Sequence, residues 1–145
     1  MNNALSRALF ESEVNALNSA RLLELRNWAI NEMAFPVLDI TFCKPSRNSF
    51  RVRLLCNEWN ERPPSIEFLS AAGTYLVKAP SGSGVLHQGP HPNTQRPFVC
   101  TPGTLEYHTH PSHLQDFWDN YKGKSGFDLG GLLTQIWKAW KITND

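Results

Sequence analysis

One stretch, His87 to His113, limits what this chain can fold into more than any other: it holds all five histidines, one of the three cysteines (Cys100) and five of the ten prolines, at 90, 92, 97, 102 and 111. Proline has a fixed φ and no backbone N–H, so this density excludes a regular helix or a central strand. It predicts an irregular, rigid loop at the surface, of the kind that carries chemistry on a scaffold. The flanking sequence is then expected to be that scaffold.

Taken in order, the chain supports this division. From Ala4 to about Glu32 the apolar residues Leu5, Leu9, Val14, Leu17, Leu22, Leu25 and Trp28 recur at roughly helical spacing with no Gly or Pro before Pro36. The spacing predicts one long helix, or two broken near Ser19. Beyond Pro36 the period shortens to two. Leu38, Ile40 and Phe42 form one strand, Phe50, Val52 and Leu54 a second, and Ile66 and Phe68 a third, entered through Pro63-Pro64. Thr74 to Val77 can add a short strand, and a Ser/Gly connection leads into the histidine stretch. After it, Leu114 to Asn120 has room for one or two helical turns. Leu129, Leu132, Leu133, Ile136, Trp137 and Trp140 then make one helix face, with Asp128 as N-cap and Lys138 and Lys141 near the C-terminus. The expected class is α+β: an N-terminal helix, an antiparallel meander of three to four strands, an irregular active-site loop and a C-terminal helix.

Composition sets the remaining bounds. The 145 residues, 41% hydrophobic and 19% charged, suffice for one core and are too few for two ordinary domains, so residues 1–145 are expected to form a single domain. A net charge of +1 without long charge runs gives no electrostatic reason to expect nucleic acid or an anionic membrane as partner. Charged residues at 11, 13, 21, 24 and 26 interrupt the N-terminal segment, which therefore resembles neither a signal peptide nor a membrane span. A cytoplasmic location is expected. Three cysteines, at 43, 56 and 100, show no CxxC spacing and are expected to be free thiols, Cys43 and Cys56 in or near the core. Trp59 is expected to pack at a strand end.

The order helix, meander, Pro63-Pro64-Ser65-Ile66-Glu67-Phe68, then His91-Pro92-Asn93 followed by Cys100, resembles the ubiquitin-conjugating (E2) family. That resemblance covers the chain through Cys100 and, more loosely, the last helix. Past Cys100 the segment Glu106 to Tyr121 stands where the family carries a tryptophan, so the chain is most similar to the divergent bacterial members found in ubiquitin-like modification operons. The resemblance implies a UBC-like fold and a carrier function. Cys100 would hold a ubiquitin-like modifier as a thioester, and Asn93 would stabilise the oxyanion formed on transfer. His91 would order the loop, and the first helix, Leu5 to Arg26, would contact an activating enzyme. The implied partners are the modifier and that enzyme, and no organic cofactor is indicated, since neither common Gly-rich phosphate loop is present.

Residue chemistry bears on the same stretch independently. Transthiolation needs an accessible thiolate, and the incoming amine needs a proton acceptor. Tyr107 to His113 offers three imidazoles, of which His108 and His110 would share one face of an extended segment and are expected to assist proton transfer. Other readings use the same side chains. Cys100, His108, His110 and His113 give C-x7-H-x-H-x2-H, a set that could surround zinc. His108-Thr109-His110-Pro111 followed by Ser125 to Asp128 is similar to the motif of JAMM-type metalloproteases. Finally, a UBC-like domain can bind a modifier without conjugating it.

Overall fold

The computed structural model describes residues 2–143. Its elements are α1 (Asn3–Ser19), α2 (Leu22–Leu25), β1 (Trp28–Ala34), β2 (Val37–Phe42), β3 (Phe50–Leu55), β4 (Ser65–Leu69), β5 (Leu86–His87), β6 (Phe98–Val99), α3 (Leu105–Thr109) and α4 (Leu129–Lys141). The first four strands form an antiparallel sheet in the order β1-β2-β3-β4, and β5 and β6 pair separately. The protein is therefore α+β, with an N-terminal helix, a four-stranded antiparallel sheet and a C-terminal helix.

Alternation puts every second residue of β2, β3 and β4 on one face. Register aligns those residues in rows across the sheet: Leu38, Leu54 and Ile66; Ile40, Val52 and Phe68; Phe42 and Phe50. All eight are buried, and they share one core cluster with Phe10, Val14 and Leu17 of α1 and Leu129, Leu132, Leu133, Ile136 and Trp140 of α4. Each such side chain contributes about 1.5–3 kcal/mol of transfer free energy. Cys56 continues the inward face of β3 and is buried, while Cys43, just past β2, is half-buried. Trp59 packs inside against Trp118 at 5.9 Å. Among the described residues, no helix is long and apolar enough to cross a membrane.

Two sequence expectations need correction. The helical segment breaks at Ser19, as one of the two expected arrangements had it, but it does not run to Glu32: Arg21 and Asn27 adopt positive φ on either side of the one-turn α2, Leu22–Leu25. Trp28 then opens β1, opposite Phe42. Leu5 and Leu25, read as part of the apolar stripe, are exposed; the buried face of α1 is Ser6, Phe10, Val14 and Leu17. Thr74 to Val77 makes no strand, only an isolated bridge from Tyr75 to Leu69.

The start of α4 is capped twice. Asp128 accepts from the Gly131 N–H at 2.7 Å, as expected, and Glu13 of α1 accepts from the Leu129 N–H at 2.7 Å. The other Glu13 oxygen accepts from Trp59 Nε1 at 2.9 Å, so one carboxylate ties α1, the turn after β3 and α4 together. Glu13→Ala should lower stability by about 2–3 kcal/mol, because it leaves the indole and helix N–H groups without partners. Glu13→Gln should recover part of that, since its single amide oxygen can serve one donor but not both. Urea unfolding midpoints of the two variants test this ranking, and equal stability of both with the wild type would refute it.

Candidate functional site

The loop between β5 and β6 is a closed turn. Gly89 has φ +74°, and a Cβ there would lie 2.8 Å from the Arg96 carbonyl oxygen and 2.9 Å from the His91 nitrogen, so only glycine fits. The His91 N–H donates to the Arg96 carbonyl and the Gln95 N–H to that of His91. Inside the turn the His91 ring is buried. Its Nδ1 accepts from the Asn93 N–H at 3.0 Å and its Nε2 lies 2.8 Å from the Glu106 carbonyl oxygen, which fixes the neutral tautomer protonated at Nε2. His91 thus joins the His-Pro-Asn turn to α3. Arg96 holds the turn's far side, pairing with Glu67 of β4 at 3.5 Å and lying over Tyr75 at 4.1 Å. Asn93 is exposed, and among the described residues its side-chain amide makes no hydrogen bond.

Cys100 is the first residue after β6, and its N–H donates to the Val85 carbonyl at 2.7 Å. Its side chain is half-buried rather than fully presented, and burial pushes its thiol pKa up. The surrounding stretch is less irregular and less superficial than its prolines predict. A short helix, α3, fits between Pro102 and Pro111, capped by the Thr104 hydroxyl, and Phe98, Val99, Glu106 and Tyr107 are buried. Prolines at both ends of α3 leave its interior hydrogen bonds intact, which is why helix is tolerated there.

Because the segment is helical, His108 and His110 do not share an extended face. His108 Nε2 accepts from the Gly103 N–H at 3.0 Å and its Nδ1 donates to the Asp116 carbonyl at 2.7 Å. Both nitrogens are committed to backbone, and burial lowers the imidazole pKa. The expected proton-transfer role at His108 therefore lacks a free lone pair. His110 Nδ1 accepts from the Ser112 N–H and faces the Ser112 hydroxyl at 2.6 Å, while its ring stacks on Phe98.

The imidazole beside the thiol is that of His113, whose Nε2 lies 3.8 Å from Cys100 Sγ. Its ring stacks on Tyr107, with centroids 4.1 Å apart and planes 14° from parallel. The Tyr107 hydroxyl donates to Asp116, and Tyr121 donates to the same carboxylate at 2.8 Å. Those two hydroxyls hold the Asp116 pKa below its ordinary value.

The zinc arrangement of Cys100, His108, His110 and His113 does not assemble, because His108 spends both nitrogens on the backbone. In the metalloprotease arrangement Asp128 is occupied as the cap of α4. Among the described residues, no group of three or more His, Cys, Asp or Glu side chains is placed to hold a metal ion. Sequence reading preferred His108 and His110 to His113, offered Tyr107 as a surface contact residue although it is buried, and missed Asp116 and Glu106. The signal for His113 with Tyr107 is faint: an aromatic and an imidazole six residues apart across Pro111. No protein-family model matches the chain, and none of the curated proteins does.

Proposed function

We propose that the protein is a UBC-like carrier that takes a ubiquitin-like modifier as a thioester on Cys100 and passes it to an amine or to another carrier. The observation that carries this reading is the shared hairpin. The β5–β6 turn holds His91-Pro92-Asn93 in a fixed shape, and the same hairpin delivers Cys100 directly after β6. The order of helix, four-stranded antiparallel meander, this hairpin and a closing helix supports it.

In the charging step the Cys100 sulfur attacks the modifier's C-terminal carbonyl carbon on the activating enzyme. The new C–S bond forms, and the activating enzyme's thiolate leaves. On transfer, the acceptor's nucleophile attacks the same carbonyl and Cys100 departs as thiolate. The Asn93 amide, exposed and uncommitted, donates to the transient oxyanion. ATP is consumed by the activating enzyme. Leu5 on α1 and Leu25 on α2, both exposed, are where that enzyme would make apolar contact.

The test is a charging reaction with the cognate activating enzyme, the modifier and ATP, run without reductant beside Cys100→Ala and Cys100→Ser. An ATP-dependent adduct is expected that thiol removes, that Cys100→Ala lacks, and that becomes thiol-resistant in Cys100→Ser. No adduct with a demonstrably active activating enzyme would reject the carrier reading in favour of a domain that binds the modifier without conjugating it.

A further inference from the structure

We propose that His113 accepts the Cys100 thiol proton when the sulfur acts as nucleophile, and that Tyr107, anchored through Asp116, is the positioning residue that holds His113 in place. The assignment concerns the reactivity of Cys100 and deepens the carrier reading, whose His-Pro-Asn turn supplies no base to the sulfur.

Burial raises the thiol pKa, and no neighbouring cation among the described residues offsets it. Cys100 therefore rests as a neutral thiol and must lose its proton during the reaction. The titratable groups facing His113 and Cys100 are Tyr107, His108, His110 and Asp116. Tyr107 is a phenol whose pKa is raised by burial and by Asp116. Asp116 already accepts from two hydroxyls, and His108 is bound to backbone at both nitrogens. His110 keeps its Nδ1 on Ser112, and its ring centroid is 5.9 Å from that of His113. Among the described residues, only His113 places a ring nitrogen within reach of the sulfur.

The geometry that keeps it there is a closed brace of three contacts. The His113 ring lies flat on Tyr107, the Tyr107 hydroxyl is tied to the Asp116 carboxylate, and the Asp116 N–H donates to the His113 carbonyl at 3.0 Å. A phenol alone could slide; one fixed at its hydroxyl cannot, so the imidazole plane is set. In any acylation the sulfur–carbon bond forms as the proton moves to His113 Nε2. The resulting imidazolium then returns that proton to the leaving group.

Alkylation of Cys100 by iodoacetamide isolates this step: a sulfur–carbon bond forms, iodide leaves and the proton passes to His113. Rates are read at Cys100 by peptide mass spectrometry, which separates it from Cys43 and Cys56, at about pH 7 and about pH 10. For His113→Gln the rate near neutrality should fall by about tenfold or more and converge on wild type at the higher pH, where the thiol ionises unaided. Tyr107→Leu should reproduce that pH-selective loss, and Asp116→Ala and Tyr107→Phe should show a smaller loss of the same form. A wild-type profile in His113→Gln overturns the base assignment. Wild-type profiles in both Tyr107→Leu and Asp116→Ala overturn the positioning role, and Asp116→Ala stands alone if the leucine variant does not fold, since Asp116 is not a core residue. Failure of modifier charging with these profiles intact counts against the carrier reading only.

Discussion

Glu106→Ala is expected to destabilise the protein by about 3 kcal/mol, whereas Glu106→Gln should stay within about 1 kcal/mol of wild type. Glu106 sits in α3 with 4% of its surface exposed. One carboxylate oxygen accepts from the Ile66 N–H at 2.9 Å and the other from the Ser65 hydroxyl at 2.6 Å, fastening α3 to β4. Alanine leaves a buried amide N–H without a partner and removes four side-chain atoms from a packed site. Glutamine keeps the carbonyl oxygen for Ile66, and its NH₂ can donate to Ser65 once that hydroxyl rotates. The pH dependence distinguishes the titratable acid from the amide that cannot ionise. Burial raises the Glu106 pKa above its ordinary 4.5. The folded state therefore holds the proton more tightly than the unfolded chain does. Its stabilising contribution is complete below the unfolded value and lost as pH rises through the raised folded value. Relative to Glu106→Gln, the wild type should gain stability on acidification from neutrality towards about pH 4.5. Urea midpoints of the three proteins at both pH values provide the check; an alanine variant as stable as the glutamine variant would contradict the buried hydrogen bonds. Because the Glu106 carbonyl also receives His91, the alanine variant should loosen the His-Pro-Asn turn as well.

Gly131→Ala is expected to lower stability by about 3 kcal/mol or more, although helix propensity alone would favour alanine by about 1 kcal/mol. A Cβ at 131 would fall 2.4 Å from the carbonyl carbon and oxygen of Gly126 and 2.8 Å from Asp128 Oδ1. Both obstacles are fixed. The Gly126 carbonyl accepts from Gln135 Nε2 at 2.7 Å, and Asp128 is the cap of α4. Relieving the overlap breaks one of these contacts or shifts the chain that leads into the helix. Gly130 gives the contrast: its added Cβ would meet Leu17 Cδ2 at 2.9 Å, the far end of a side chain that can change rotamer. Gly130→Ala should therefore be clearly less damaging, and thermal or urea unfolding of the pair reads the difference directly. A stabilised Gly131→Ala would mean that the approach of Gly126 to the helix is wrong.

How much of this was legible depended on how local the cause is. β2, β3 and β4 announced themselves because each is covered on one face, so apolar residues had to alternate. The closing helix was equally plain, from its stripe to the Asp128 cap. β1 was hidden for the converse reason. It is an edge strand with one paired side, its middle is exposed, and Trp28 alone among its residues is fully buried, so its pattern blended into the helix before it. Arg21 and Asn27 end the helical segment at positive φ without a glycine to mark the break. In the loop, the prolines concealed α3, which needs only the proline-free interval between Pro102 and Pro111.

For the site, the sequence by itself determined which side chains exist to do chemistry, and it grouped Asn93, His91 and Cys100 within ten residues; that these lie on one hairpin came from the structure. Chain neighbours in a short turn stay neighbours whatever the rest of the fold does. Which imidazole meets the thiol was decided only by tertiary structure. His108, His110 and His113 are chemically identical in the sequence. They part company because α3 turns His108 into the backbone of Gly103 and Asp116, Phe98 takes the ring of His110, and the stack on Tyr107 leaves His113 facing Cys100. The sequence fixes what each ring can do; the path of the backbone between Pro102 and Asp116 sets which atom each ring meets.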